Sequence, residues 1–267
     1  MAKPKLQSYI RPMVTFVETV NFGTVEITGS GATDYQLVYN KPTYTSTRTD
    51  LIMFILPRKP VGANACKIII TGVNSSNAFG AGTASDEMTV PALSAKNLGI
   101  LVTKSGTDPI YWKSVSSVSL DGTSHGTAGE QYDIIGVPKW NDTDADGSDG
   151  FVELIYVTSE DITPGATRMP VANRMDAVYD SIDIRPDNTF TMAQRYVTNN
   201  WVHGIGRLRG RKVTILLELR EDGGALVAEY IYLGNACFNE APIAAPDNGD
   251  MTVNATGYFE VELHYEP

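Results

Sequence analysis

The sequence predicts a mainly β protein: an antiparallel β-sandwich or barrel with one short flanking helix and an added β-rich central domain or insertion. Three observations predict it. From Arg211 to Tyr265 apolar and polar residues alternate in three long segments, the period of a pleated strand with one buried face. Hydrophobic runs elsewhere are short and separated by Gly, Pro, Asn and Asp. An apolar fraction of 42% over 267 residues is enough for one large β-domain or two smaller ones.

Residues 1–12, with Lys3-Pro4 and Arg11-Pro12, read as an extended arm. Val14 to Ile27 alternates like a strand, Gly29-Ser30-Gly31 makes a turn, and Asp34 to Tyr39 reads as a short strand. Leu51–Leu56 is a buried strand stopped by Pro57, and Lys67–Thr71 is a second, rich in isoleucine. From Gly72 to about Gly165 the texture changes to Gly, Ser, Thr, Asn and Asp around short apolar runs. This divides the chain into the arm, a β-domain from 13–72 and 166–267, and an inserted segment at 73–165. After Pro170, Val171, Met175 and Val178 fall at i, i+4 and i+7, which predicts the single helix over Val171–Ile182.

In the terminal block, Val213, Ile215, Leu217 and Leu219 share one face, and Thr214, Leu216, Glu218 and Arg220 share the other. After the turn at Glu221-Asp222-Gly223-Gly224, Leu226, Ala228, Tyr230 and Tyr232 oppose Val227, Glu229 and Ile231. The last strand sets Val253, Ala255, Gly257, Phe259, Val261, Leu263 and Tyr265 on one side. The pattern gives each strand a buried side and a wet or partner-facing side.

The formal charge of −10 and the pI near 4.8 oppose nucleic-acid binding by charge attraction. A negative wall would let DNA pass without sticking; plain solubility accounts for the charge equally well. The start MAKPKLQSYI lacks the apolar core of a signal peptide, and no apolar run approaches a membrane span. Cys66 and Cys237 fit no metal spacing and read as small buried hydrophobes rather than a bridge.

Asp142, Asp144, Asp146, Gly147 and Glu153 satisfy the spacing of a calcium loop, in which alternate carboxylates converge on one cation. Pro138 before the loop, the β-like FVELIYV after it and Asp149 at a usually apolar position fit an acidic turn instead. Calcium therefore stands as a candidate ligand, with no other cofactor expected. Arg207, Arg209, Arg211 and Lys212 form a basic cluster in an acidic chain, either a solvated turn or a surface for an acidic neighbour, including another copy of this chain. His125, His203 and His264 lack metal spacing, no nucleophile elbow is present, and no catalytic set emerges; the chain is not expected to be an enzyme. Trp112, Trp140 and Trp201 fit core or interface anchors better than a carbohydrate platform.

The block TILLELREDGGALVAEYIYLGNACFNEAPIAAPDNGDMTVNATGYFEVE resembles the major tail (tube) proteins of tailed bacteriophages. The hairpin with its acidic turn, the Asn235-Ala236 exit, the Pro/Asp/Gly loop and the closing strand carry the likeness. It covers about the last 90 residues, and the segment 73–165 departs from it. The resemblance implies a β-sandwich or barrel subunit with a helix. Six copies would extend their sheets edge to edge into a ring, and rings would stack as a hollow tail tube in the virion. Its partners would be copies of itself, other tail proteins and DNA passing without specific binding, with assembly in the host cytoplasm and no membrane insertion. Glu218, Glu229, Glu260 and Glu262 would then be candidates to face the channel, and Arg11, Arg207, Arg209, Arg211 and Lys212 to meet other subunits. A calcium-dependent carbohydrate-binding or adhesive β-module using the 142–153 loop is the alternative, and a capsid decoration protein is another.

Overall fold

The computed structural model describes residues 7–28, 35–37, 44–45, 50–57, 66–74, 83–90, 100–104, 108–121, 131–140, 143, 147–163, 167–172, 178–184, 188–196, 204–221, 226–244 and 251–267. Along the chain run β1 (Gln7–Thr15), β2 (Val20–Ile27), β3 (Tyr35–Leu37), β4 (Tyr44–Thr45), β5 (Leu51–Pro57), β6 (Cys66–Asn74) and β7 (Thr83–Val90). Then come β8 (Ile100–Leu101), β9 (Thr103–Lys104), β10 (Asp108–Pro109), β11 (Tyr111–Asp121), β12 (Gln131–Pro138), β13 (Val152–Glu153) and β14 (Val157–Thr163). The last third holds β15 (Thr167–Ala172), β16 (Val178–Ile184), β17 (Asn188–Arg195), β18 (Lys212–Glu221), β19 (Val227–Glu240), β20 (Ile243–Ala244), β21 (Thr252–Phe259) and β22 (Val261–Tyr265).

The protein is mainly β, built on two nine-stranded antiparallel sheets, one a nearly closed barrel and the other a half-barrel. The barrel has the order β13-β1-β18-β19-β21-β17-β14, with β20 added to β21 and β22 to β19. Its first and last strands are joined by only Leu154–Tyr156, and that link closes the seam. Leu154 N–H bonds to Pro12 O on β1, while Tyr156 O accepts from Arg195 N–H on β17. The half-barrel has the order β3-β2-β12-β5-β11-β6-β7, with β4 and β8 on β11 and β5.

The half-barrel is thus inserted whole between β1 and β13. Composition drew its boundaries at 73 and 165 instead, because the Gly- and Ser-rich texture starts inside this sheet, where β6 gives way to the β7 side. Residues 7–12, expected in an extended arm, are the first half of β1. They pair with β18 across Arg11/Glu218 and Pro12/Leu217.

The helix expected over Val171–Ile182 is not formed as such. Residues 167–172 and 178–184 are β15 and β16, paired from Thr167/Ile184 to Ala172/Val178. The i, i+4, i+7 spacing of Val171, Met175 and Val178 is real, but Thr167, Val171, Val178, Ile182 and Ile184 are β-branched and favour the pleat. The one helical element among the described residues is a 3-10 turn at Ile205–Leu208.

Three cores follow from strand parity. Inside the barrel, Val14, Phe190, Met192, Val213, Ile215, Leu217, Phe238 and Phe259 pack together, as the alternation of β18 requires. Inside the half-barrel lie Phe22, Leu51, Met53, Ile55, Trp112 and Tyr132. Between the two sheets Met13, Ile52, Phe54, Ile135, Val137, Leu216, Tyr232 and Leu263 form a third core. β5 is therefore buried on both faces, which its unbroken apolar run dictated. The second face of β18 is correspondingly not wet in its middle: Thr214 and Leu216 are fully buried.

The terminal strand is one parity but two pieces. At Glu260, whose N–H bonds to Gly234 O, β21 hands over to β22. Val253, Ala255 and Phe259 are buried in or beside the barrel interior, whereas Val261 and Leu263 enter the core between the sheets. Opposite this bend, β19 carries a bulge at Gly234-Asn235, with Asn235 at φ 53.

Candidate functional site

Two ends of the barrel differ in character. β18 runs from Lys212 to Glu221, β19 returns to Glu240, and β17 and β21 are in register at Arg195/Thr252. One end therefore collects Lys212, Arg195, Tyr196, Glu240 and Met251. The other collects the β18–β19 turn and the end of β22.

At the first end the 3-10 turn presents the basic cluster. Ile205 N–H donates to Gln194 Oε1 at 2.8 Å, and Gln194 Nε2 donates to Ile155 O at 2.7 Å, so a buried glutamine pins the turn to the barrel seam. Gly210, at φ 70, donates its N–H to Phe238 O and turns the chain into β18. Arg207 and Arg211 lie over the Phe16 ring at 5.1 and 5.3 Å. Lys212 Nζ is 3.3 Å from Glu260 Oε1. Arg209 is exposed, and its backbone bridges to Phe238.

The same end exposes large apolar side chains that the sequence did not single out: Tyr156, Tyr196, Ile243 and Met251. Backbone pairing draws them together. Tyr196 N–H bonds to Met251 O at 2.7 Å, Arg195 N–H to Tyr156 O at 3.0 Å, and Ile243 pairs with Val253. Tyr156 sits at φ 59, a left-handed conformation that costs a bulky residue about 1–3 kcal/mol. Four separate segments supply these residues, so no local sequence signal marks them.

At the opposite end Glu221 and Glu266 are exposed, and Leu226 is 69% exposed. Here His264 lies between two carboxylates, with Nδ1 2.8 Å from Glu229 Oε1 and Nε2 2.6 Å from Glu262 Oε1. The hydrogen bonds to Glu262 and Glu229 raise the histidine above its ordinary value, against the opposing effect of burial.

The remaining predicted residues are spread over other surfaces. Arg11 is not free for a partner: its Nε donates to Glu153 at 2.8 Å and its Nη1 to Glu218 at 3.4 Å. Glu218, with a side chain only 6% exposed, also accepts from Arg220 at 2.8 Å. Of the four glutamates considered for a channel, this one is enclosed within the subunit. Beside it, burial and the Glu218 carboxylate push the Tyr230 hydroxyl up to about 12.

In the acidic loop, Asp142, Asp144 and Asp146 lie outside the described residues. Gly147 is left-handed at φ 78, and its carbonyl receives Phe16 N–H and the Thr15 hydroxyl. Glu153, the twelfth loop position, is engaged with Arg11. Among the described residues no three His, Cys, Asp or Glu side chains cluster to hold a metal. Cys237 is a free thiol. Trp112 is buried in the half-barrel, and Trp140 stacks on Tyr230 and Tyr265 at 5.0 and 5.7 Å. Trp201, His125 and His203 lie outside the described residues.

No protein family, curated protein or solved structure matches this chain.

Proposed function

We propose that this protein is a structural subunit that assembles with copies of itself into rings, stacked as the hollow tail tube of a bacteriophage through which DNA passes. The observation that carries this reading is the free edge of the barrel sheet. β22 pairs with β19, and among the described residues no strand covers its other side. An antiparallel strand with unpaired N–H and C=O groups is a template for another strand, and a head-to-tail contact that closes by rotation makes a ring. The resemblance of the terminal block, which forms five of the barrel's strands, supports the same conclusion.

Charge fits the role. Glu229, Glu260 and Glu262 retain contact with solvent on the strands that border this edge, and a negative surface repels phosphate. Other tail proteins would contact the ends of the stack. Negative-stain microscopy of the purified full chain tests the proposal. Rings or tubes are expected, and a monodisperse monomer at all protein and salt concentrations overturns it.

A further inference from the structure

We infer that the half-barrel holds one buried, neutral, hydroxyl-bearing ligand on the Asn74 amide and the Trp112 indole. The site stands apart from the assembly reading and does not depend on it.

Asn74 is the last residue of β6 and lies on its concave face. Ile70, Gly72 and Asn74 alternate along that strand and stand opposite Val118, Val115 and Trp112 of β11. On its other side Trp112 stands opposite Leu51 of β5. Ile70, Val118, Val115, Trp112 and Leu51 all belong to the core inside the half-barrel. Asn74 is therefore an amide set into an apolar wall, 5% exposed, beside a tryptophan that is wholly buried.

This cross-strand pair carries three polar atoms with nothing to bond. Asn74 Nδ2, Asn74 Oδ1 and Trp112 Nε1 are each buried, and none has a hydrogen-bond partner among the described residues. Buried polar groups are nearly always paired, because a bare one keeps its full desolvation penalty. An asparagine bare on both amide atoms next to a bare indole thus marks a place where a ligand completes the wall.

Valence identifies the ligand. Two N–H groups require an acceptor and one carbonyl requires a donor, and exchanging the amide's nitrogen and oxygen leaves the same demand. A hydroxyl meets it alone, with two lone pairs and one proton. An anion brings no proton and a cation no lone pair, and either would carry a bare charge into an apolar wall. Burial sets the size. All three atoms are sealed from solvent, so the occupant is small, and a single water, which makes about three hydrogen bonds when buried, is its smallest form.

The test is NMR on the full chain labelled with nitrogen-15 at tryptophan. Trp140→Phe and Trp201→Phe remove two of the three indole signals and leave that of Trp112. With water as the ligand, the expected result, the Trp112 indole proton shows a cross-peak at the water frequency that reverses sign between the laboratory and rotating frames. Direct proton exchange does not reverse it. With a larger hydroxylic molecule that cross-peak is missing, and acid denaturation followed by mass spectrometry releases one such molecule per chain. Cross-peaks to protein protons alone, with nothing released, overturn the inference. In folded Asn74→Leu the ligand signal should be lost, and a signal that persists unchanged overturns the assignment to Asn74. The parent spectrum decides whether a ligand is held even where that variant does not fold.

Discussion

Thr19 and Gly234 share a space that holds only one β-carbon: a Cβ on Gly234 would stand 2.7 Å from both Cβ and Oγ1 of Thr19. The threonine cannot yield easily. Its hydroxyl, in the turn between β1 and β2, is 3.1 Å from that of Thr214 on β18, which donates in turn to Val17 O of the same turn at 2.7 Å. Gly234 also sets the bulge in β19 opposite the bend at Glu260, where strands leave one core for another.

Gly234→Ala is therefore expected to destabilise the protein by about 1–3 kcal/mol through overpacking. Gly206→Ala, where an added Cβ meets nothing within 4 Å, should stay within about 0.5 kcal/mol. Denaturant midpoints of the two variants check the contrast.

Glu218 holds two guanidiniums, Arg11 from β1 and Arg220 from its own strand. Glu218→Gln should cost about 2–3 kcal/mol, less than a fully buried pair, because both arginines keep some contact with water. Arg220→Met should cost less than Glu218→Gln, since Arg11 still neutralises the carboxylate. Chemical denaturation of the two variants gives the order; the reverse order removes Glu218 from the centre of the network.

For His264 the sign is set by its raised value. The imidazolium between Glu229 and Glu262 contributes stability that is complete below the unfolded value of 6.5 and lost as pH rises through the higher folded value. The stability gap between the parent and His264→Gln should narrow from pH 6 toward pH 9. A gap that widens over that range contradicts the bonding described here.

Truncation separates the arm from the strand. Removing residues 1–6 spares every described pairing of β1, whereas removing 1–12 deletes Arg11 and the pairing opposite Leu217–Glu221. The shorter deletion should leave the melting temperature nearly unchanged. The longer one should unfold the barrel, visible as lost cooperativity in a thermal melt.

Much of this architecture was legible in the sequence because parity is a strong signal. The inward set on β18 and the all-apolar β5 follow from residue order alone. The segment around Val171 and Val178 was not, since short apolar runs satisfy helix and strand spacing together and β15 is defined by its partner β16. Coverage of Leu216 and Tyr232 was equally hidden. The face of Leu216, shared with Thr214, Glu218 and Arg220, reads as wet or partner-facing, and what buries its middle are Ile52, Phe54 and Val137, far away in the chain. Of the candidate site, the basic cluster was visible as four cations in ten residues. The exposed patch of Tyr156, Tyr196, Ile243 and Met251 exists only through register.

The insertion of a whole sheet between β1 and β13 also constrains how the chain is born. Thr15 pairs with Thr214, so the first strand emerges from the ribosome roughly 200 residues before its neighbour. At about 5–20 residues per second, that is a wait of roughly 10–40 s. During it the half-barrel, whose strands all lie within residues 20–138, can form first and offer Ile52, Phe54 and Ile135 as a platform for Met13. Synthesis order thus makes the inserted sheet a cradle for the barrel.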